Sequence, residues 1–406
     1  MALPHNPILR RSSMQEFDAF RNSSQPLSPD FATLPNTALA ADVRERLQQF
    51  LAPLLILLDR CLDKRLVRTV AATLYAILLL RHRSHGLLLS ELGAYLLSPD
   101  KAPAGTKRLS NLLRSSKWSS ALLEQYLWQQ AVHHGQQLEA EGQLPLLLWD
   151  ESVIEKPESR KRPDLCPVRS SKATRLARSR PGPPQRPTFV NGLQWVSLLL
   201  IGQKGAPTVA AMRWFTTRGE RQTDARTVQV GLLMQCVRQW KRRVLHVFDR
   251  GYAGTPWITA CLENQVRFLM RWPKRFKLVD AQEQERAAWQ ILRGQPTWEE
   301  RVVFDTVQNR ARLLGVLALL VHHPEWEQPL WLVCARPKGG KGNKGQEPWL
   351  LLTTEPVFDA DAAFALVLAY ARRWQVELAF RFGKSELAME SPRVWTWERR
   401  EKLLLL

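Results

Sequence analysis

Four residues near the C-terminus, Tyr370, Arg373, Glu377 and Lys384, are spaced by 3, 4 and 7 positions within the stretch AYARRWQVELAFRFGK. Read as one helix at 100° per residue, they share a stripe about 60° wide. A lone carboxylate would stand there between a phenol and two cations. Val367, Ala371, Trp374 and Leu378 make the adjoining apolar flank, expected to pack on a sheet. An Arg–Glu pair four residues apart is also an ordinary helix-surface ion pair. Two other acids bear on the choice. LPLLLWDES is an apolar run ending in Asp150, and RRVLHVFDRGYAG is a β-rich run ending in Asp249. Each looks like a buried strand with a carboxylate at its end. If two strand-end carboxylates and one helix carboxylate converge, they form a set of hard oxygen ligands suited to Mg²⁺. Two such ions activate a water or a 3′-hydroxyl and stabilise the leaving oxygen in phosphoryl transfer. Tyr370, Arg373 and Lys384 would then hold a phosphate beside them by charge-assisted hydrogen bonds.

The composition points to the same substrate. Lys and Arg outnumber Asp and Glu, 58 to 38, for a formal net charge of +20. That charge calls for a polyanion, DNA or RNA first. No membrane partner is expected: LAPLLILLD and AATLYAILLL are shorter than the ~20 residues of a span and are closely bounded by Asp59, Arg60, Arg81 and Arg83. The first residues lack a continuous apolar segment, so no secretory leader is expected. The five cysteines are scattered without a CxxC pair, which suits reduced thiols in a cytoplasmic protein and neither a disulfide frame nor a zinc site.

The elements that would position these residues follow from periodicity. Residues 1–40, rich in Ser, Pro and Asn, read as a flexible arm. Residues 41–140 carry a helical pattern, broken at SPDKAPAG, and TKRLSNLLRSSKW sets Lys107, Arg108, Arg114 and Lys117 among leucines. Such a basic helix suits DNA phosphates or is simply a solvated face. Residues 141–276 alternate strand-like runs with a helix over 223–241. Within them, Glu155 to Pro187 is basic and rich in Pro and Ser; it reads as a mobile loop that wraps a phosphate backbone through Arg175, Arg178 and Arg180, or as a disordered linker. Residues 277–354 turn β-rich, and 355–406 return to helix.

The spacing Tyr-x2-Arg-x3-Glu-x6-Lys resembles the signature of DDE transposases in the family named after insertion sequence 4. At residue usages near 5% each, a chance match at one start is on the order of 10⁻⁵. The resemblance runs from about Leu144 to Lys402, with Asp150 and Asp249 at the family's two aspartates and Glu377 at its glutamate. It implies an α/β fold: a ribonuclease-H-like catalytic core interrupted by a β-rich insertion, behind an N-terminal helical DNA-binding region. It also implies a transposase that cuts the ends of an insertion sequence and joins them to target DNA, with a hairpin intermediate. Two Mg²⁺ (or Mn²⁺) ions would serve each site. The partners would be duplex DNA, as terminal inverted repeats and target, and a second copy of the chain in a synaptic dimer at the bacterial nucleoid. By the same resemblance Trp349 in PWLLLTTEPV takes the place of a tryptophan that stacks on a flipped base, and Arg271 in RFLMRWPKR that of a DNA-contacting cation. Trp349 read by itself is equally a strand tryptophan buried in the insertion. The family continues beyond its signature, whereas this sequence runs only 22 residues past Lys384. A shortened copy is therefore expected, and the alternative reading is a DNA-binding inhibitor or remnant without catalysis.

Overall fold

The computed structural model describes residues 36–81, 86–159, 164–178, 187–305, 310–338 and 347–406. The described residues divide into two compact units, one of them formed by 36–61 with 303–305 and 310–312, the other by the described residues between 62 and 302 and from 313 on. The first contains helix α1 (Asn36–Cys61), which buries Leu51, Leu54 and Leu58 on one stripe at helical spacing. Of the arm expected over residues 1–40, positions up to 35 lie outside the described residues, and 36–40 are already helical.

The second unit opens with α2 (Lys64–Tyr75), α3 (Leu89–Leu96), α4 (Ala102–Arg114) and α5 (Ser120–Ala140). Asp63 starts α2 because its Oδ1 accepts from the Leu66 amide at 3.0 Å. The break expected across SPDKAPAG is shorter than that stretch. Pro103 stands in the first turn of α4, where proline costs no hydrogen bond. Gly105 is needed there, since a Cβ would come within 2.1 Å of the Gly93 carbonyl oxygen on α3. The basic stretch TKRLSNLLRSSKW is not one helix: α4 stops at Arg114, and Lys117 beyond it pairs with Asp63 at 2.7 Å. Arg108 donates to the Thr69 hydroxyl at 3.0 Å. Two of its cations thus serve the helical region itself.

The sheet uses β1 (Leu146–Glu155), β2 (Cys166–Arg169), β3 (Phe189–Ile201), β4 (Thr208–Phe215), β5 (Leu245–Phe248) and β6 (Phe268–Arg271). It continues through β7 (Lys277–Val279), β8 (Glu285–Ala287), β9 (Glu299–Asp305), β10 (Arg310–His323), β11 (Trp326–Lys338) and β12 (Trp349–Thr353). Its order is β2-β3-β1-β5-β6-β12-β11-β10-β7-β8, with β4 also on β3. Pairing is mostly antiparallel; β5 runs parallel to β1, and β6 to β5. The β-rich region is therefore continuous with the rest of the sheet, through β12 on β6.

Helices α7 (Ala225–Trp240) and α8 (Thr255–Glu263) contribute to the core through Leu232, Leu233, Trp257 and Ile258. At its centre Trp149 packs on Phe248 and Trp257, and its indole N–H donates to Nδ1 of the fully buried His246 at 3.0 Å. Among the described residues no helix is long and apolar enough to cross a membrane.

Three expectations are corrected here. Asp150 does not end its strand: β1 runs on to Glu155, because β3 pairs along all of it while β5 pairs only with Leu146–Leu148. The stretch read as a mobile loop contains β2, paired with β3, and helix α6 (Ser171–Arg178). The C-terminal stretch is two helices, α10 (Ala360–Ala371) and α11 (Trp374–Arg381), followed by a wider turn over Phe382–Glu386. Val376 is buried while Ala371 and Leu378 are exposed. Of the expected apolar flank, Val367 is buried and Trp374 half-buried, so the flank holds only in part.

Candidate active site

The sheet register brings Asp150 and Asp249 together. Leu146 lies beside Leu245 and Leu148 beside Val247 in the parallel pair β1–β5. Two residues further along each chain come Asp150 and Asp249, close enough that the Asp249 charge raises the Asp150 carboxyl. β5 ends at Phe248, and the Asp249 Oδ1 accepts from the Gly251 amide at 2.7 Å, which starts a short turn. The Asp150 Oδ1 accepts from the Glu151 amide at 2.8 Å. One oxygen of each carboxylate is thus held by a backbone amide.

Arg373 ties the helical side of the site to the sheet. Its Nη1 donates to the Asp150 Oδ2 at 3.2 Å and its Nη2 to the Glu377 Oε1 at 2.5 Å. The first of these bonds spans 223 residues of sequence. Burial pushes the Asp150 carboxyl up to about 7; Arg373 pulls it down, while Asp249 and Glu377 push it further up. Loss of solvent is the main cause, and the repulsion from Asp249 and Glu377 that adds to it is what a bound cation would relieve.

Tyr370 is buried on α10, and burial raises its phenol. Its ring meets Trp349 edge-on, with centroids 5.4 Å apart. The Arg271 guanidinium lies 5.7 Å over the other ring of that pair, Trp349, and donates to the Pro348 carbonyl at 2.9 Å. The buried Nη1 of Arg271 has no hydrogen-bond partner among the described residues. Burial lowers this guanidinium to about 10, although Tyr370 and Glu347 favour its charge. Trp349 itself is half-buried at the start of β12. Lys384 stands elsewhere, in the turn after α11, with Nζ 5.2 Å over the Trp195 ring. Burial lowers its ammonium, whereas Glu390, Glu155 and Asp150 favour the charged form. Arg175 is exposed on α6, Arg178 is the last residue of that helix, and Arg180 lies outside the described residues.

The structure adds two carboxylates that the sequence did not single out. Glu151 accepts from the Gln229 side chain; burial raises its carboxyl and the charge of Asp249 adds to that. Glu155 sits at the far end of β1. Reading β1 as ending at its first acid hid both, and continuation of the alternating pattern through SVIE was the available signal.

The donor set suits a hard divalent cation by chemistry, since Asp150, Asp249 and Glu377 offer only carboxylate oxygens. Among the described residues, however, no group of three or more His, Cys, Asp or Glu side chains is arranged to hold a metal. The Arg373 fork between Asp150 and Glu377 is the physical obstacle: a guanidinium neutralises both carboxylates from the position a metal would share.

Residues 209–406 match the family model of the transposase DDE domain. That segment includes Asp249 and Glu377; Asp150 precedes it. The matched segment, just under half of the chain, is similar to a transposase DDE domain. One solved structure, the cryo-EM structure of piggyBac transposase synaptic complex with hairpin DNA, aligns at 13% identity and a TM-score of 0.43. The alignment covers 85% of this chain and 64% of that chain. No curated protein matches.

Proposed function

We propose that this chain is a DNA transposase of the family named after insertion sequence 4, which cleaves the ends of its element and joins them to target DNA. The observation that carries the reading is the Arg373 fork, which links Asp150 on β1 to Glu377 on α11 beside the in-register Asp249. The meander of β1, β3 and β4 extended by parallel β5 and β6 supports a ribonuclease-H-like core. Asp150, Asp249 and Glu377 would hold two Mg²⁺ or Mn²⁺ once Arg373 turns away. Such ions, when bound, activate the attacking oxygen and neutralise the leaving one.

The remaining residues bind and orient. Arg373, released from its carboxylates, and the free N–H of Arg271 grip the phosphates flanking the cut. Lys384, whose charge Glu155 and Asp150 favour, adds a further cation. Trp349, backed by Tyr370, receives the base that must unstack when a DNA end folds into a hairpin. Two copies would bring two element ends together on target DNA.

The test is a labelled duplex carrying the inverted repeat that borders the reading frame, incubated with Mg²⁺ and resolved on a denaturing gel. Nicked, hairpin and joined products are expected from the full chain. A second reading, DNA binding without catalysis, is favoured by the Arg373 fork in the metal position. Tight binding with no nick in Mg²⁺ or Mn²⁺ would select it.

A further inference from the structure

Past Asp150, β1 continues five residues to Glu155, whose side chain ends in the first turn of α6. The Glu155 Oε1 accepts from the Ser171 amide at 2.8 Å and the Ser171 hydroxyl at 2.7 Å, and more weakly from the Lys172 amide at 3.4 Å. Its Oε2 accepts from the Ser170 hydroxyl at 2.8 Å. Glu155 is only 6% exposed. Burial pushes its carboxyl up, but the bonds from Ser171 and Ser170 prevail and hold it below the usual range. A carboxylate from a distant strand thus satisfies the free amides of a helix start and sits at the positive end of its dipole.

The Ser170 hydroxyl, itself bonded to Glu155, also caps α6 by accepting from the Ala173 amide at 3.1 Å. No side chain from Ser171 to Leu176 is buried, and Leu176 is 60% exposed. Eight residues are far fewer than the ~12–15 that an isolated helix needs. The second tether is Glu390, which pairs with Lys172 at 3.2 Å and takes a bond from Lys156 at its carbonyl. Lys172 and Arg175 are three apart, both exposed and on one helical face. Along β1 the five residues from Asp150 to Glu155 span roughly 17 Å. That equals about five base pairs of duplex at ~3.4 Å each.

We propose that Glu155 is a positioning residue: by capping α6 it holds Lys172 and Arg175 as a clamp on the DNA backbone about five base pairs from the phosphate at Asp150. The inference rests on the DNA-cleaving reading above, and deepens it by assigning where the flanking duplex is gripped. β1 is the ruler, since one rigid strand carries both the cutting carboxylate and the helix cap.

The experiment measures affinity of the full chain for a fluorescent 40-base-pair duplex across a salt series, without divalent ions. Each phosphate contact contributes about 0.9 to the slope of log affinity against log salt. E155A and the double variant K172A/R175A are each expected to flatten the slope by about 2. The triple variant flattens it no further, because both changes remove the same contacts. E155Q keeps the wild-type slope, as its amide oxygen still accepts from Ser171. Melting curves establish folding. A folded E155A with the wild-type slope overturns the proposal, as does a triple variant whose losses add. Should E155A not fold, an unchanged slope in K172A/R175A overturns it equally. Hydroxyl-radical protection that E155A loses is expected about five base pairs from the nick; loss elsewhere refutes the placement. A chain that shows the slope changes but never nicks refutes the transposase reading and leaves the clamp. One that nicks with unaltered slopes refutes the clamp alone.

Discussion

The two halves of the candidate site are built on different kinds of support. Asp150 stands on β1 and Asp249 just past the end of the neighbouring parallel β5, and a backbone amide holds one oxygen of each before any ligand arrives. Glu377 stands on α11, just after a break in the chain at Arg372–Arg373, and is held by the Arg373 side chain. The sheet half is therefore preorganised, while the helix half is secured by an ion pair that must exchange partners when a cation binds. The lesson is that the sheet places Asp150 within the influence of the Asp249 charge, whereas the link to Glu377 runs through a single arginine side chain.

The sharpest way to break the comparison is to neutralise the sheet half. Asp249→Asn should lower strand cleavage by at least about a hundredfold, the loss typical of removing a group that stabilises transition-state charge. DNA affinity should change little, since phosphate contacts elsewhere supply it. Cleavage retained in this variant, measured on the labelled element end, would dissolve the two-carboxylate half altogether.

A pH experiment then asks whether the sheet half is strained by its own charge. The folded-state value for Asp150 is raised from 3.8 to about 7. The linked stability is therefore full below pH ~4 and lost as pH rises through ~7. At pH 8 without divalent ions, Asp150→Asn should be more stable than the parent by about 1–3 kcal/mol, allowing for the attraction to Arg373 that it gives up. Near pH ~3.5, below the ordinary value of 3.8, the parent carboxyl is mostly neutral folded and unfolded alike, and the difference should nearly vanish. Mg²⁺ should raise the parent's melting temperature at pH 8 and leave that of the variant unmoved. Parallel melting curves at both pH values would show that Asp150 is not strained in this way.

The smallest expected effect concerns the aromatic flank. Trp349→Ala should leave first-strand nicking near normal and slow hairpin formation about tenfold, the effect of losing ~1.4 kcal/mol of stacking. Nicked and hairpin products separate on one gel. Equal hairpin yield from a folded variant would make Trp349 a packing partner of Tyr370 and nothing more.

Much of this was legible in the residue order. The apolar runs before Asp150 and Asp249 formed strands because a continuous run of Leu, Val and Phe has to be buried on both faces, and the helix over 225–240 follows its own 3.6-residue period. The net charge and the Tyr-Arg-Glu-Lys spacing are local properties, so they were available without a fold. Three things were not. β1 extends past Asp150 because β3 supplies hydrogen-bond partners as far as Glu155, a pairing between segments far apart in sequence. The C-terminal stretch breaks at Arg372–Arg373, and there Arg373 spans from Glu377 to Asp150; helical periodicity has no access to that bond. And α6 begins at Ser171 beneath a carboxylate sixteen residues away, in a stretch whose composition alone reads as unstructured. Local pattern determined which segments would be helix or strand and which charges they carry. Only tertiary structure decided which acids meet and what holds them, because pairing register and side-chain exchange are set between segments and not within them.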